Sequence, residues 1–372
     1  MARRPKIALV GGDGGRSGVP RHIEQLAEVL GPWADLTIIS DLDRGGFGFA
    51  KEFRHIEIPG LATGLNPLHA HRAKAALSGA LREIRPDLVW AHARMALPLS
   101  RSAMRGGGLG RLMVTYHGMP FGPGHGALRS AVSIGLEIAG LRAGPQQDLV
   151  FLTEEDRAGM PDWLVGDNRC HILPNSSVLG GADMPEPVRT GSRRLVMLTR
   201  DSRQKNLDHA ARLFAILPGD FRLDLHGMGT DSAELKRRFA AVLGAKSMER
   251  VQFVGPTEDV RSVLAGADGL LVTSRYEGLS IAMIEAMEMG VPVFSTKVGG
   301  TEMIGRLHPL FGLITTDLAQ SAAMIDEMTA QFRSAPMDFT AQIRAVWAQH
   351  FGPERWASKV NGLVRQVLEG GP

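Results

Sequence analysis

Short apolar runs alternate with helical patterns along the whole chain, and this order of elements is the strongest constraint on its fold. Most of the runs are rich in Val, Ile and Leu without strict polar alternation, which is typical of strands buried on both faces. One of the helical patterns extends from Ser17, a predicted N-cap, to Leu30. The alternation predicts an α/β fold of doubly wound parallel sheets. The predicted strands are KIALV, DLTIIS, DLVWAH, RLMVTYHG, DLVFLT, CHILPN, RRLVMLTR, FRLDLHG, RVQFVG, DGLLVTS and PVFST.

The composition excludes several classes of protein. The 372 residues carry 42 basic and 39 acidic side chains, and a net charge of +3 is too slight for a general nucleic-acid coat. Cys170 is the single cysteine, which excludes an internal disulfide and a cysteine-based metal cluster. It fits a reducing compartment, although a cysteine-poor periplasmic protein would look the same. No apolar run approaches the roughly 20 residues that span a bilayer, and IALV is too short for a signal peptide.

A change of composition divides the chain into two halves. The segment PNSSVLGGADMPEPVRTGS is dense in Pro, Gly and Ser, so we interpret residues 176–192 as an interdomain linker. It separates a predicted N-terminal domain, 1–175, from a predicted C-terminal domain, 193–350. Ligands of open α/β sheets bind outside the carboxyl ends of the strands, so the sequence predicts a cleft between two such sheets.

The sharpest functional signal is the segment SRYEGLSIAMIEAMEMGVPVF. Ser280 is a predicted N-cap of a helix that is apolar nearly all round, which is typical of a buried helix. Glu285 lies in its middle, where a carboxylate needs hydrogen bonds either from a neighbouring loop or from a ligand's hydroxyls. Glu288, one turn later, is expected to reach solvent. The N–H groups of Ser280 and Ile281 predict an anion site suited to phosphate, with Glu277 in the loop just before it.

A pair of cations follows an earlier strand. RRLVMLTR ends at Arg200, and Lys205 lies five residues later at a predicted helix start. Two cations at the carboxyl end of a strand are suited to a diphosphate, although ordinary surface charges are the alternative.

These segments together resemble glycosyltransferase family 4. EGLSIAMIEAM resembles the two-glutamate signature of that family, PVFSTKVGGTE its next segment, TRDSRQKN its Arg–Lys phosphate motif and ILPNSSV its hinge. HGMGTDSAELKRR, GGDGGRSG, RPDLVWAH and VTYHG are similar to further family segments, in the same order. One departure is Asn206, which stands where the family often has Gly.

The resemblance implies the GT-B fold, in which two Rossmann-like doubly wound domains face a central cleft. The terminal segment 351–372 would then form a helix that packs back on the N-terminal domain. The family mostly transfers a sugar from a nucleotide diphosphate donor with retention of anomeric configuration, and neither a metal nor another cofactor is expected.

The resemblance also assigns roles to individual residues. Glu285 would bind the ribose, and Arg200 and Lys205 would stabilise the leaving diphosphate. The remaining implied site residues, which would contact the donor or the acceptor, are Gly14, Gly15, His117, Glu277, Gly278, Leu279, Ser280 and Ile281.

The predicted activity is therefore transfer of a UDP- or GDP-linked sugar to a glycan or lipid-linked acceptor, in the cytoplasm, for a cell-surface polysaccharide or glycolipid. An NAD-dependent oxidoreductase or epimerase is the runner-up, because GGDGGRSG and Asp41 loosely match a dinucleotide site, although Ser17 replaces the third glycine. Asp41 and Asp43 also mimic a metal-binding Asp-x-Asp, for which a solvated turn is the favoured interpretation. A non-catalytic nucleotide-sugar-binding protein is a third alternative.

The composition of residues 94–147 is compatible with a peripheral contact with an anionic membrane. The segment contains six arginines and a single acidic residue, Glu137, and its stretch GALRSAVSIGLEIAGLRAG predicts a basic apolar helix. Packing of this helix on the N-terminal sheet is the slightly favoured alternative.

Overall fold

The structure is a computed structural model that describes residues 3–12, 18–42, 52–62, 67–93, 95–122, 124–142, 144–177, 179 and 191–370. The chain divides into two compact units. The first unit is Met1–Asn175 with Glu354–Pro372, and the second is Ser176–Pro353. Most of the predicted linker, and Ser17, lie outside the described residues.

The first unit is a parallel seven-stranded sheet, in the order β3-β2-β1-β4-β5-β6-β7, with helices between the strands. Its strands are β1 (Lys6–Val10), β2 (Asp35–Ser40), β3 (Arg54–Glu57), β4 (Leu88–His92), β5 (Arg111–Tyr116), β6 (Gln147–Phe151) and β7 (Arg169–Ile172). Its helices are α1 (Gly18–Leu30), α2 (Pro67–Ile84), α3 (Ala96–Met104), α4 (Ala127–Arg142), α5 (Glu154–Ala158), α6 (Asp162–Val165) and, from the chain's end, α14 (Pro353–Glu369).

The second unit is a parallel six-stranded sheet in the order β10-β9-β8-β11-β12-β13. Its strands are β8 (Arg193–Leu198), β9 (Phe221–His226), β10 (Val251–Gly255), β11 (Gly269–Val272), β12 (Val293–Thr296) and β13 (Phe311–Ile314). Its helices are α7 (Leu207–Ile216), α8 (Ala233–Met248), α9 (Val260–Leu264), α10 (Ile281–Glu288), α11 (Thr301–Leu307), α12 (Leu318–Ser334) and α13 (Pro336–His350). Two parallel-sheet α/β units of this kind confirm the predicted fold class.

Each unit has a core of its own. In the first unit the sheet is buried on both faces, and α14 belongs to the core of one face. The helix contributes Trp356, Val360, Val364 and Val367, all on one side, as an amphipathic helix does. Among the described residues, no helix combines the length and apolar character that crossing a bilayer requires.

Every strand predicted from the sequence is present, and two further strands were missed. β3 forms an edge of its sheet, and its residues RHIE are partly or fully exposed, so it lacks the apolar run of a buried strand. β13 is also an edge strand and contains Gly312, where a Cβ would lie 2.2 Å from the Met324 sulfur. A glycine at a close approach hides a strand from patterns based on side chains.

Candidate active site

Two loops of the second unit, one after β8 and one after β11, bring together a cation and a carboxylate predicted from the sequence. Lys205 Nζ donates to Glu277 Oε1 at 2.5 Å, and the Ser274 hydroxyl donates to the same oxygen at 2.7 Å. The Lys205 and Glu277 side chains are 19% and 11% exposed, so solvent still reaches the pair. The pair lies beyond the carboxyl ends of neighbouring strands, because β8 precedes Lys205 and β11 precedes Glu277.

Hydrogen bonds join the two loops that carry this pair. The Thr273 hydroxyl donates to the Lys205 carbonyl at 3.0 Å. The Gln204 amide donates to the Tyr276 carbonyl at 3.0 Å, and the Arg275 N–H donates to the Gln204 carbonyl at 2.8 Å. The separation of Lys205 from Glu277 is therefore fixed by backbone contacts as well as by their own attraction.

Asn206 occupies a position at which the family often has glycine, and its conformation shows why asparagine is accepted. Its φ is 53°, in the left-handed region, which Asn tolerates better than most residues. Its side-chain oxygen accepts a hydrogen bond of 2.8 Å from Arg275. The substitution therefore adds a contact between the same two loops.

Two glycines allow neighbouring turns to approach the site. At Gly227, where φ is 131°, a Cβ would lie 1.5 Å from the Thr199 carbonyl oxygen. At Gly299 a Cβ would lie 2.5 Å from the Glu277 carbonyl oxygen. Both turns require the absence of a side chain, since no backbone adjustment of a few tenths of an ångström would relieve such contacts.

Helix α10 begins where the sequence predicts. Ser280 occupies the N-cap position in an extended conformation, although its hydroxyl makes no capping hydrogen bond. Glu285 is 2% exposed in the middle of the helix, as predicted for a buried carboxylate. Leu279 is also buried, and a Cβ on Gly300 would contact it, so the 277–281 loop is closely packed from behind.

The expectation for Glu288 is wrong. Its carboxylate is buried and accepts from the Ser177 hydroxyl at 2.8 Å and from the Leu179 N–H at 2.9 Å. Trp347 in turn donates to the Ser177 hydroxyl at 3.0 Å. Glu288 thus anchors the start of the predicted linker to the helix that carries Glu285, and a polar loop rather than water satisfies it.

Arg200 lies on the loop that follows β8, five residues before Lys205. Its side chain is exposed and makes a long contact of 3.4 Å with Gln204. An open pocket of about 480 Å³ involves the same stretch of chain but none of the predicted site residues. Its lining residues are Asp201, Ser202, Arg203, Asn206, Leu207, Asp208, Arg238 and Arg275. Asp201 and Asp208 pair with Arg238 there, so much of its positive charge is neutralised.

In the first unit His117 belongs to a cluster of three histidines. His92 ends β4 and pairs with Thr115 of β5, which places it next to the turn that carries His117. His92 Nδ1 lies 3.2 Å from His117 Nε2, and the rings of His22 and His117 are 4.7 Å apart. His22 and His92 are fully buried, whereas His117 is half-buried.

Burial keeps these three imidazoles neutral. It lowers the pKa of His117 to about 4. It also lowers the pKa of His22 and His92 well below the usual value, with repulsion from neighbouring imidazolium as a second cause. A contact with Asn175 acts in the opposite direction on the pKa of His22. At neutral pH the cluster therefore offers uncharged donors and acceptors.

The other residues predicted in the first unit divide into two groups. Gly14, Gly15 and Asp43 lie outside the described residues. The Asp41 carboxylate accepts N–H groups of Leu42 and Ala62, each at 2.8 Å, and so holds a loop in place. This use of Asp41 weakens the dinucleotide interpretation, in which the carboxylate would bind a ribose.

Comparison with known proteins decides the family. The family model described as Glycosyltransferase Family 4 matches residues 16–158, and the one described as Glycosyl transferases group 1 matches residues 192–331. The two matches together cover most of the chain, one in each unit. The chain belongs to the family 4 glycosyltransferases.

One curated relative of this glycosyltransferase is the Vi polysaccharide biosynthesis protein VipC/TviE of Salmonella typhi. It is 42% identical over 95 residues, which are 26% of this chain and 16% of the relative. The matched segment thus spans well under two thirds of that relative.

The solved structures that resemble the glycosyltransferase show its GT-B fold. Sucrose-phosphate synthase from Thermosynechococcus elongatus has a TM-score of 0.83 at 18% identity and covers 99% of this chain and 100% of its own. Anabaena HepE in complex with UDP-glucose has a TM-score of 0.77 at 17% identity, covering 97% and 100%.

Sequence reasoning missed three residues that the structure places in these clusters. Ser274 ends the segment DGLLVTS, and its place at a strand terminus was the available signal. Gln204 sits between the two cations of the phosphate-like motif. His22 lies on the buried side of α1 beside Ile23 and Leu26, so a histidine within an apolar helical stripe was the sign to follow.

Helix α4 packs on the first unit with Glu137, Ile138 and Leu141 inward, and three of its other apolar residues face outward. Leu128, Val132 and Leu136 recur every four residues and are 79%, 42% and 41% exposed. Glu137 is buried and pairs with Arg101 at 2.9 Å. The helix does pack on the first unit, but Arg101, counted among the basic residues of a membrane-facing segment, is buried and cannot serve that purpose.

Proposed function

We propose that the protein is a retaining glycosyltransferase that moves a sugar from a nucleotide diphosphate donor to a hydroxyl of a glycan or lipid-linked acceptor. The observation that carries the proposal is the Lys205–Glu277 pair beside the N-terminus of α10. It combines a cation, backbone N–H groups and a carboxylate at one place, and these suit a diphosphate attached to a sugar.

In this proposal Lys205 and the N–H groups of Ser280 and Ile281 stabilise the diphosphate as it leaves, and Arg200 joins them. Glu277 binds the donor sugar and holds Lys205 in position, while Gly278 and Leu279 shape the loop against it. Glu285 accepts hydrogen bonds from the ribose. His117, a neutral imidazole, hydrogen-bonds the donor sugar. Gly14 and Gly15, which are outside the described residues, are assigned to the donor and acceptor by the family resemblance.

The reaction exchanges one bond at the anomeric carbon for another. The bond to the diphosphate oxygen breaks, the acceptor oxygen bonds to the same face, and the acceptor's proton passes to the leaving diphosphate. Negative charge grows on the diphosphate during this step, so fixed cations and N–H dipoles stabilise the transition state more than the ground state. The step needs neither a metal ion nor a redox cofactor.

The nature of the donor is supported by similarity alone. HepE, a structural relative, is described in complex with UDP-glucose, which favours a UDP-linked hexose for this chain. The relative VipC/TviE is named for polysaccharide biosynthesis, and this supports a role in making a cell-surface polysaccharide or glycolipid, a reaction that we assign to the cytoplasm.

Calorimetric binding of UDP, GDP, ADP and NAD, with a chelator present, tests the donor class. We expect one nucleoside diphosphate to bind and the Glu285→Gln variant to bind it at least tenfold more weakly, because a neutral amide is a poorer acceptor for ribose hydroxyls. Glu258→Gln, on a loop of the same unit, is the matched control. Binding of NAD alone would overturn the proposal.

Analysis of the product separates the stereochemical part of the proposal from the rest. With the donor identified, the anomeric configuration of the product is read by NMR. An inverted anomer would refute retention while leaving the assignment of the donor site intact.

We further propose that α4 rests on an anionic membrane where a lipid-linked acceptor is held. Its exposed stripe of Leu128, Val132 and Leu136 provides apolar area, and the exposed Arg105 and Arg142 provide positive charge. Flotation with vesicles of phosphatidylglycerol and phosphatidylcholine tests this.

The triple variant Leu128→Ser, Val132→Ser, Leu136→Ser should lose flotation. Met337→Ser, which removes a side chain 72% exposed on the second unit, should retain it. No flotation of the unmodified protein at low salt would refute the membrane contact without affecting the transfer reaction.

A further inference from the structure

The three-histidine cluster has the composition and spacing of a metal site. One nitrogen from each of His22, His92 and His117 lies within 4.8 Å of the others, and His92 Nδ1 lies 3.2 Å from His117 Nε2. The ring centroids are 4.7, 5.3 and 5.5 Å apart. Three imidazoles on one tetrahedral ion at Zn–N distances of about 2.0–2.1 Å would have nitrogens about 3.4 Å and ring centroids about 5 Å apart. The rings therefore need only small adjustments to share one ion.

From this arrangement we infer that His22, His92 and His117 bind a divalent transition-metal ion of the zinc type. Three imidazoles without a carboxylate suit zinc, cobalt or nickel and exclude the oxygen-seeking magnesium and calcium. Three protein ligands leave one coordination position open, as in zinc sites that hold an exchangeable ligand. The half-buried His117 is the side from which an ion would enter.

The surroundings of the cluster favour metal binding. The rings of Trp90 and Trp356 lie 5.2 Å from His92 and 5.6 Å from His22, so aromatic side chains border the site. An apolar border limits competition from water and strengthens each metal–nitrogen contact.

A metal ion bound at this site would inhibit the transfer reaction. This consequence rests on the proposed function, in which the reaction itself needs no metal and His117 hydrogen-bonds the donor sugar. An ion on the cluster would engage His117 and so withhold it from the sugar. Binding of the ion and inhibition by it are separate measurements, so failure of one is distinguishable from failure of the other.

Titration of the full chain, without a histidine tag, with cobalt(II) alone tests the site. We expect one equivalent to give the visible absorption of four-coordinate cobalt, and zinc to displace it. His92→Asn and His117→Asn should each weaken binding at least tenfold, because each removes one ligand. His71→Asn, which removes an exposed histidine on α2, should bind as the unmodified chain does.

Circular dichroism shows whether each variant is folded. The change at the fully buried His92 can disturb the first unit, so the variant of the half-buried His117 provides the decisive comparison. Absence of the cobalt spectrum in the unmodified chain, or equal binding by a folded His117→Asn variant, would overturn the inference and leave a hydrogen-bonded histidine cluster without metal.

Discussion

Each unit contains a buried or half-buried cation–carboxylate pair, and the two pairs differ in how completely they are satisfied. Arg101 and Glu137 in the first unit are 1% and 7% exposed. Tyr116 and Gln147 complete the hydrogen bonds of that pair. Lys205 and Glu277 in the second unit are more exposed, and Ser274 is their one further partner among the hydrogen bonds of the described residues. A pair that is fully enclosed can hold a helix in place, whereas an accessible pair can exchange its partner for a ligand.

The same distinction applies to the buried histidines. His308 in the second unit is satisfied on both sides: Nε2 donates to the Val291 carbonyl at 3.2 Å, and Nδ1 accepts the Leu310 N–H at 3.0 Å. His117 in the first unit is half-buried, and one of its nitrogens faces His92. Buried polar groups whose hydrogen bonds are all made within the protein therefore stabilise the fold, whereas groups with hydrogen bonds still to make are available for chemistry.

The largest effect is expected from breaking the enclosed pair. Arg101→Met should lower the free energy of unfolding by about 3–5 kcal/mol, because it leaves the Glu137 carboxylate buried without its counterion. Urea denaturation followed by circular dichroism measures this.

The double variant Arg101→Met, Glu137→Leu is the matched control. It should cost less than the single change, since two apolar side chains replace two charges. A double variant less stable than the single one would contradict a structural role for the pair.

Breaking the accessible pair should affect catalysis more than stability. Lys205→Met removes a cation from the leaving diphosphate and should lower kcat by about 100- to 1,000-fold. The unfolding free energy should fall by less than in Arg101→Met, because solvent reaches the pair and the Ser274 hydroxyl still donates to Glu277. Turnover with the identified donor is the measurement, and Lys246→Met, exposed on α8, is the control. A loss of stability matching that of Arg101→Met would erase the distinction.

Acidification should destabilise the region around the satisfied His308. Burial lowers its pKa to about 4, below the ordinary value near 6.5, so the unfolded chain takes up the proton first as the pH falls. The stabilisation is complete above about pH 6.5 and is lost progressively down to about pH 4, by up to about 3 kcal/mol.

Hydrogen-exchange protection of β12 and β13 reports this loss locally. The His308→Asn variant keeps an acceptor for the Leu310 N–H but no longer titrates, so its protection should depend less on pH in this interval. Equal pH dependence in the two proteins would show that another group is responsible.

These roles could be predicted from the sequence only in part. The strand–helix alternation predicted the parallel sheets, and the two-glutamate segment placed a buried Glu285 on a buried helix, because local patterns carry that information. Glu288 was assigned to solvent although it is buried, since its partners Ser177 and Leu179 are more than 100 residues away. Likewise Arg101 was counted among the basic residues of a membrane-facing segment, although in the structure it is buried and donates to Glu137 and Tyr116. Helical periodicity shows which face a residue is on, but not which distant polar group will satisfy it.

The smallest effect is expected at the half-buried His117, and it tests whether incomplete satisfaction indicates function even without charge. His117→Ala should lower kcat/KM for the donor by about tenfold, the worth of one neutral hydrogen bond. Since burial lowers the pKa of His117 to about 4, the imidazole stays neutral and should add no step to the activity profile between pH 6 and 8. His117→Gln should recover part of the loss, because its amide can still hydrogen-bond, and His71→Gln should lose nothing. A fall of 1,000-fold, as for a charged group, would mean that His117 acts as a cation. The number of unsatisfied hydrogen bonds would then not be enough to predict how much each of these residues contributes to catalysis.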